Sequence, residues 1–443
     1  MLLEFKIKNY KSFYEETKFS MTPAPKQSGL DYSILKSTIK RKNIKGLCSS
    51  VIYGPNASGK TNIIGAMDVL RAIVLRGNIR NSKEEKNFYN PASSILEFIP
   101  NSQINESKPV EFAIDFIENN LRIQYNLCID LGLFLEQDYK RKITSEELII
   151  NNATIFKRDN NIYIGDIKQI KEYLADTVIK NLDNAKNLAN ANIDTEELFL
   201  TNSFKNIFSP SLVKIIIDWF SNKFMVICRA DSVQLVRRFA DPQKNAVYVE
   251  KVTDKPAKIF GANSNAIGYI LKDDNSEPKL FSLLSNDNND VGKAIPADFF
   301  ESYGTIRFIN MFPLVVRAIQ TGSTLIVDEF DASIHPMALM SIINLFHNDD
   351  INIHKAQLIF NTHNPIFLNS NLFRRDEIKF VERDDENHFS ILYSLADFGT
   401  SGEKGVRKHE DYMKNYFISQ YGAIKDIDFT PFFEEIRSDK SEL

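Results

Sequence analysis

Eight residues from Gly54 to Thr61, Gly-Pro-Asn-Ala-Ser-Gly-Lys-Thr, have the spacing G-x-x-x-x-G-K-[ST] that lets a backbone wrap a chain of phosphates. Gly54 and Gly59 permit the tight curl that aims successive N–H groups inward, and a helix starting near Lys60 adds its positive dipole end. In that arrangement Pro55, Asn56, Ala57 and Ser58 form the cradle, Lys60 bridges the β- and γ-phosphates, and the Thr61 hydroxyl ligates Mg²⁺. The ligand implied is a nucleoside triphosphate.

A phosphate loop alone hydrolyses nothing, so carboxylates must come from elsewhere in the chain. Thr324-Leu325-Ile326-Val327-Asp328-Glu329 supplies two. Its four mostly apolar residues read as a strand buried beside the phosphate-loop strand. Asp328 at its carboxyl end is placed to hold Mg²⁺, and Glu329 to accept a proton from the attacking water. Asp331 lies just past the strand, where some ATPases carry a loop linking two opposed sites; a helix cap by Asp331 or Ser333 is the competing reading. His335, before Pro336, reads as a structural cap. His363, in Asn361-Thr362-His363-Asn364-Pro365, follows another buried strand, Gln357 to Phe360, so its imidazole also stands at a strand's carboxyl end, within reach of a γ-phosphate or the attacking water.

These groups need elements to hold them. Ser50 to Tyr53 reads as a buried strand leading into the loop, and Asn62 to Leu75 as the helix leaving it. Leu2 to Lys8, Phe19 to Met21, Val110 to Phe116, Leu121 to Ile129 and Glu147 to Ile150 alternate as antiparallel strands. From Ile167 to about Phe224 the period changes to that of helices. A strand-bearing stretch follows at Met225 to Val249, then a helix at Ile267 to Leu284 and a turn at Asn286 to Asp290. After Phe299 the pattern is α/β: a helix at Thr305 to Ile319, the Thr324 to Val327 strand, a helix at Met337 to Phe346, the Gln357 strand, and a hairpin of Glu377 to Val381 with Phe389 to Leu395. The expectation is an α/β fold in four stretches. Residues 1–165 are antiparallel β and carry the phosphate loop, 166–298 are a mainly helical insertion, 299–400 supply the second half of the site, and 401–443 form a tail with Gly402 and Gly405 marking loop.

Composition narrows the class. The 443 residues are 43% hydrophobic and 25% charged, as in ordinary globular proteins, and the formal net charge of −4 announces no nucleic-acid binder. A local basic cluster, Lys36, Lys40, Arg41, Lys42 and Lys45, reads as a solvated loop or as a contact for DNA or a partner. Cys48, Cys128 and Cys228 form no C-x-x-C pair, so neither zinc nor a disulfide framework is indicated. No apolar run spans a membrane and the charged N-terminus is no signal core, which implies a cytoplasmic protein.

The motif set resembles the ABC-type ATPase heads of the RecF, SMC and Rad50 group. Beyond the loop, Asp328, Glu329 and Asp331, the resemblance rests on His363 as a switch histidine and on Glu301-Ser302-Tyr303-Gly304-Thr305-Ile306-Arg307 as a signature, with Tyr303 where relatives carry a small residue. Phe5 to Phe13 is similar to the first strand and turn of such heads. Val406-Arg407-Lys408 with Tyr421-Gly422, and the lack of a long coiled coil, resemble prokaryotic anti-phage ATPases of the abortive-infection AbiL and RloA kind, with PARIS and OLD ATPases as cousins. The resemblance implies ATP hydrolysis with Mg²⁺. It also implies a homodimer, or a higher oligomer built on it, in which Ser302 and Gly304 of one head meet the γ-phosphate held by the other, and a separate effector protein. A RecF-like DNA-repair ATPase, with DNA as partner, and an OLD-type nuclease-associated ATPase are the alternatives; a transporter subunit fits the large insertion poorly. Glu382, Asp384 and Asp385, the acids a nuclease would use, fall in an expected hairpin turn.

Overall fold

A computed structural model describes residues 1–25, 27, 29–81, 96–228, 246–271, 277–285, 291–400, 405–407 and 410–438. The expected turn at Asn286 to Asp290, and Gly402 and Lys408, lie outside the described residues.

The short, uniformly apolar runs become the inner strands of a six-stranded sheet, as expected of strands covered on both faces. Its order is Phe224–Ile227, Thr324–Val327, Gln357–Asn361, Ser49–Tyr53, Ile378–Arg383, Ser390–Ser394. The first five are parallel and the last is antiparallel. The acidic strand Thr324–Val327 is therefore not beside the phosphate-loop strand, as its sequence suggested. The helix Pro336–His347 carries the chain over to Gln357–Asn361, and that strand inserts between the two, pairing Phe360 with Val327 on one side and Val51 on the other.

The alternating runs of the N-terminal part build a seven-stranded antiparallel sheet in the order Ile162–Ile164, Ala153–Arg158, Lys142–Ile150, Leu121–Asp130, Val110–Glu118, Leu2–Lys8, Thr17–Ser20. Leu121–Asp130 alternates buried and half-buried along its whole length. The helix Lys60–Arg76 lies between the sheets. Its Ile63, Ile64, Met67, Leu70 and Ile73 share one core with Phe5, Ile7, Phe112 and Ile114 of the antiparallel sheet and with Ile52, Ile326 and Ile359 of the parallel one. The other face of the parallel sheet packs Val51, Leu325, Leu358 and Phe360 against the helices Tyr303–Thr321 and Pro336–His347. Burial by helix on one face and helix plus sheet on the other holds the loop strand rigid at its centre.

The stretch after Asp166 is helical at Asp176–Lys180, Leu182–Ala191, Leu200–Phe208 and Pro210–Asp218. Beyond it the expected helix at Ile267 to Leu284 is instead a strand pair, Ala266–Ile270 and Lys279–Ser285, in a four-stranded antiparallel sheet with Val247–Tyr248 and Val291–Pro296. Short apolar runs satisfy either period, and Pro278, just before the second run, breaks a helix that would run through both. The expected tail is also partly core: Val406, Tyr412, Tyr421 and Ala423 are buried, and the Tyr393 hydroxyl donates to the Tyr421 carbonyl at 2.7 Å. Among the described residues no helix is long and apolar enough to cross a membrane.

Candidate functional site

At the carboxyl end of Ser49–Tyr53 the chain turns through Gly54 to Gly59 into the helix Lys60–Arg76. Both glycines are required. Gly54 has φ +155° and a Cβ there would stand 2.2 Å from the Val381 carbonyl oxygen; Gly59 has φ +112° and a Cβ would stand 2.9 Å from both Ser12 Oγ and Ser390 Oγ. The loop is clamped from outside by residues that carry no motif. Ser390 donates its hydroxyl to the Ser58 carbonyl at 2.6 Å and its amide to the Ser12 carbonyl at 2.7 Å, and Asn62 donates to Ser12 Oγ at 2.8 Å. Ser12 sits in the Phe5 to Phe13 string already singled out; nothing in the sequence marks Ser390.

The Lys60 ammonium donates to the carbonyls of Gly54 at 2.7 Å and Pro55 at 2.8 Å. Burial lowers its pKa to about 8, against the pull of Asp328 and Glu329. Thr61 donates its hydroxyl to Asp328 Oδ1 at 3.1 Å. Asn361, on the strand between them, donates its side-chain amide to the same Oδ1 and accepts the Glu329 amide on its own side-chain oxygen. Burial raises Asp328 to about pKa 6 in spite of the Asn361 and Thr61 hydrogen bonds. Glu329 is exposed, takes the left-handed backbone φ of 52° that a non-glycine residue seldom adopts, and gives its carbonyl to the Arg307 guanidinium. Neither Asn361 nor Arg307 was given a role from sequence.

His363 is exposed at the end of the Gln357–Asn361 strand. Partial burial and the Lys60 charge lower its pKa, while Asp331 and Glu329 pull it back, so these four groups share one electrostatic neighbourhood. Neither Asp331 nor Ser333 caps the following helix by its side chain; His335 does, its Nδ1 accepting the Met337 amide at 3.2 Å. Ser302 is the N-cap of Tyr303–Thr321, its Oγ accepting the Thr305 amide at 3.1 Å, and a Cβ on Gly304 would stand 2.4 Å from the Ser333 carbonyl oxygen. Ser302 and Tyr303 are exposed. Their helix is anchored by the buried Glu301, which accepts from the Asn263 and Ser264 amides and the Ser264 and Ser282 hydroxyls at 2.7–3.2 Å.

A cleft of about 470 Å³ opens beside the loop, lined by Lys11, Ser12, Ala57, Asn62, Phe98 and Arg383 among others. The basic cluster is an exposed hairpin of Ile34–Ile39 and Lys42–Leu47. Each acid a nuclease would use has another partner: Asp384 accepts the Glu386 and Asn387 amides of its own turn, Asp385 meets Lys425 at 3.2 Å, and Glu382 accepts the Tyr393 hydroxyl.

No curated protein sequence matches the chain. Among solved structures, the SMC head domain from Thermotoga maritima aligns over 89% of this chain and 98% of its own at 12% identity and a TM-score of 0.36. An SMC head bound to the C-terminal winged-helix domain of ScpA aligns over 89% and 97% at 11% identity and a TM-score of 0.37. At those scores neither bears on the reading of this site. The family described as "AAA domain, putative AbiEii toxin, Type IV TA system" matches residues 49–369, a span that runs from the phosphate-loop strand past the acidic strand and His363. Since that match takes in well over half of its length, the chain belongs to this AAA-domain family.

Proposed function

We propose that the chain binds ATP with Mg²⁺, hydrolyses it, and uses the cycle as a conformational switch. The observation that carries this reading is the Thr61–Asp328 contact, which joins the two motifs across an intervening strand. A hydroxyl and a carboxylate are hard oxygen donors of the kind Mg²⁺ takes, so these two residues fit the ion. When bound, Mg²⁺ neutralises charge on the phosphates. Lys60 leaves the Gly54 and Pro55 carbonyls for the β- and γ-phosphate oxygens. Glu329 accepts the proton of the attacking water. His363, its pKa lowered and so neutral at pH 7, donates one hydrogen bond to the γ-phosphate side of the site. The cleft beside Ala57 and Ser12 receives the nucleoside.

Two copies then face each other with ATP between them, Ser302 and Gly304 of one head completing the site of the other. The exposure of Ser302 and Tyr303 at the start of a 19-residue helix supports this arrangement. Hydrolysis removes the contacts that hold the closed pair. The family's description as a putative toxin of a type IV toxin–antitoxin system, with the likeness to abortive-infection ATPases, supports a cytoplasmic anti-phage role beside a separate effector protein. A surface suited to such a partner exists at the C-terminal helix Thr430–Ser438. Phe429, Phe432 and Phe433 are exposed there and, with Ile436, repeat at the i, i+3, i+4, i+7 spacing of a helix that docks in a groove. The exposed basic hairpin favours DNA as the second reading, and salt-sensitive DNA binding is its test.

The proposal is tested by ATP binding, turnover and light-scattering mass. The Lys60→Ala protein should lose ATP affinity, and Glu329→Gln should bind ATP, turn over at least about 100-fold more slowly, and double in mass with Mg-ATP. Unchanged affinity in the first, or normal turnover in the second, would overturn the assignments.

A further inference from the structure

The parallel sheet has a second end. Opposite the phosphate loop, where its strands begin, three side chains from distant parts of the chain converge: Cys48, just before Ser49–Tyr53; His347, the last residue of Pro336–His347; and Glu377, just before Ile378–Arg383. A thiol sulfur, an imidazole nitrogen and a carboxylate oxygen from these residues all lie within 4.8 Å of one another, and the three residues are 0%, 5% and 0% exposed. We propose that Cys48, His347 and Glu377 bind a divalent cation of the zinc class, which ties the foot of the phosphate-loop strand to the helix and strand on either side.

One feature of the cluster calls for a further partner. His347 Nε2 lies 2.8 Å from Ser49 Oγ and 3.6 Å from Glu377 Oε1, but its Nδ1 is buried without any hydrogen-bond partner. A buried polar atom without a partner is uncommon, and a bound ion is one of the few ways to account for it. The Glu377 carboxylate accepts the Ser49 hydroxyl at 2.6 Å and the Arg374 amide at 2.8 Å, while the nearby Arg374 guanidinium is committed to Asp376 and the Gly29 carbonyl.

The donor types choose the ion. Thiolate is too soft for Mg²⁺ or Ca²⁺, and a sulfur, nitrogen and oxygen set suits Zn²⁺. On binding, the Cys48 thiol releases its proton to solvent, and thiolate plus carboxylate balance the charge of the cation. Metal–ligand bonds of roughly 2.0–2.3 Å put ligand atoms roughly 3.5 Å apart. The three atoms must therefore draw together by on the order of 1 Å, within the reach of side-chain rotation. Ser49 Oγ or a water takes the fourth position. The ring of Tyr32, 38% exposed, stands 5.3 Å from that of His347. Cys48 lies 299 residues before His347, which lies 30 before Glu377, and the three carry no motif spacing, which is why the cysteine pattern gave no sign of zinc.

Untagged protein, purified without chelator, should carry about one equivalent of zinc by mass spectrometry. After metal removal, Co²⁺ should give the thiolate-to-cobalt charge-transfer absorption with tetrahedral d–d bands. That absorption separates this site from the one at Thr61 and Asp328, where oxygen donors give no thiolate band. It should survive in Lys60→Ala and disappear in Cys48→Ser. Wild-type protein with neither zinc nor the cobalt–thiolate band overturns the proposal even if the variant fails to fold, as does a band that persists in Cys48→Ser. In either case the cluster is a hydrogen-bonded Ser49–His347–Glu377 link and no more.

Discussion

Asn361 donates its side-chain amide to the carboxylate of Asp328, from the strand that separates the acidic strand from the phosphate-loop strand. With its oxygen it also holds the Glu329 amide, so one side chain ties the Asp328 carboxylate and the Glu329 backbone to the middle strand. Asn361→Ala should lower ATP turnover by about 10–100-fold and raise the Mg²⁺ concentration needed for half-maximal rate, the usual scale for losing an outer-shell partner. The check is a Mg²⁺ titration of kcat. Wild-type Mg²⁺ dependence would mean that Asp328 is positioned without it.

Asp328 sets a pH dependence. In the nucleotide- and metal-free protein its pKa is raised from 3.8 to about 6 by burial, so the folded state holds this proton more tightly than the unfolded state does. Its contribution to stability is therefore complete below about pH 4 and lost as pH rises through about 6. Asp328→Asn, which removes the buried charge, should stabilise the chain at pH 8 in EDTA by about 1–3 kcal/mol and make no difference at pH 4. Urea denaturation at the two pH values tests this, and the same variant should lose Mg²⁺-dependent ATP turnover.

Glu301 joins the start of the Tyr303–Thr321 helix to the four-stranded sheet through four hydrogen bonds. Glu301→Ala leaves two amides and two hydroxyls without an acceptor and should cost on the order of 3 kcal/mol. Hydrogen exchange should speed up across residues 263–271 and 277–285 and leave the phosphate-loop helix protected. Uniform loss of protection would show that sheet and core open as one unit.

The close approach of Gly304 to the Ser333 carbonyl leaves no room for a methyl group. Gly304→Ala should destabilise the protein by about 1–3 kcal/mol and displace the loop that carries Asp331. A thermal melt together with ATP turnover measures both, and wild-type values in both would show that the loop gives way freely.

The phosphate loop, the acidic strand and His363 were legible because each is a local pattern: glycines at fixed offsets, or a polar residue ending a short apolar run. What joins them was not. That Gln357–Asn361 lies between the two motif strands is decided by where a crossover helix lands, and the paired strands carry equivalent apolar sequences, Leu325-Ile326-Val327 against Leu358-Ile359-Phe360. Asn361 therefore stood in plain view without a role. Ile267 to Leu284 misled because four or five apolar residues fit either period, and only pairing with neighbouring strands decides between them. The outer clamp of Ser12 and Ser390 depends on an edge hairpin folding back onto the loop, a contact between residues 378 positions apart in sequence.

The two carbonyls that hold Lys60 make the resting loop its own competitor. Any anion that enters must offer the ammonium more than Gly54 and Pro55 already do. A single phosphate near the helix end should reach the backbone amides and leave the lysine where it is, whereas a chain of phosphates should draw it away. If the loop sets such a threshold, affinity should climb steeply from nucleoside monophosphate to triphosphate in the wild type but flatten across that series in Lys60→Met.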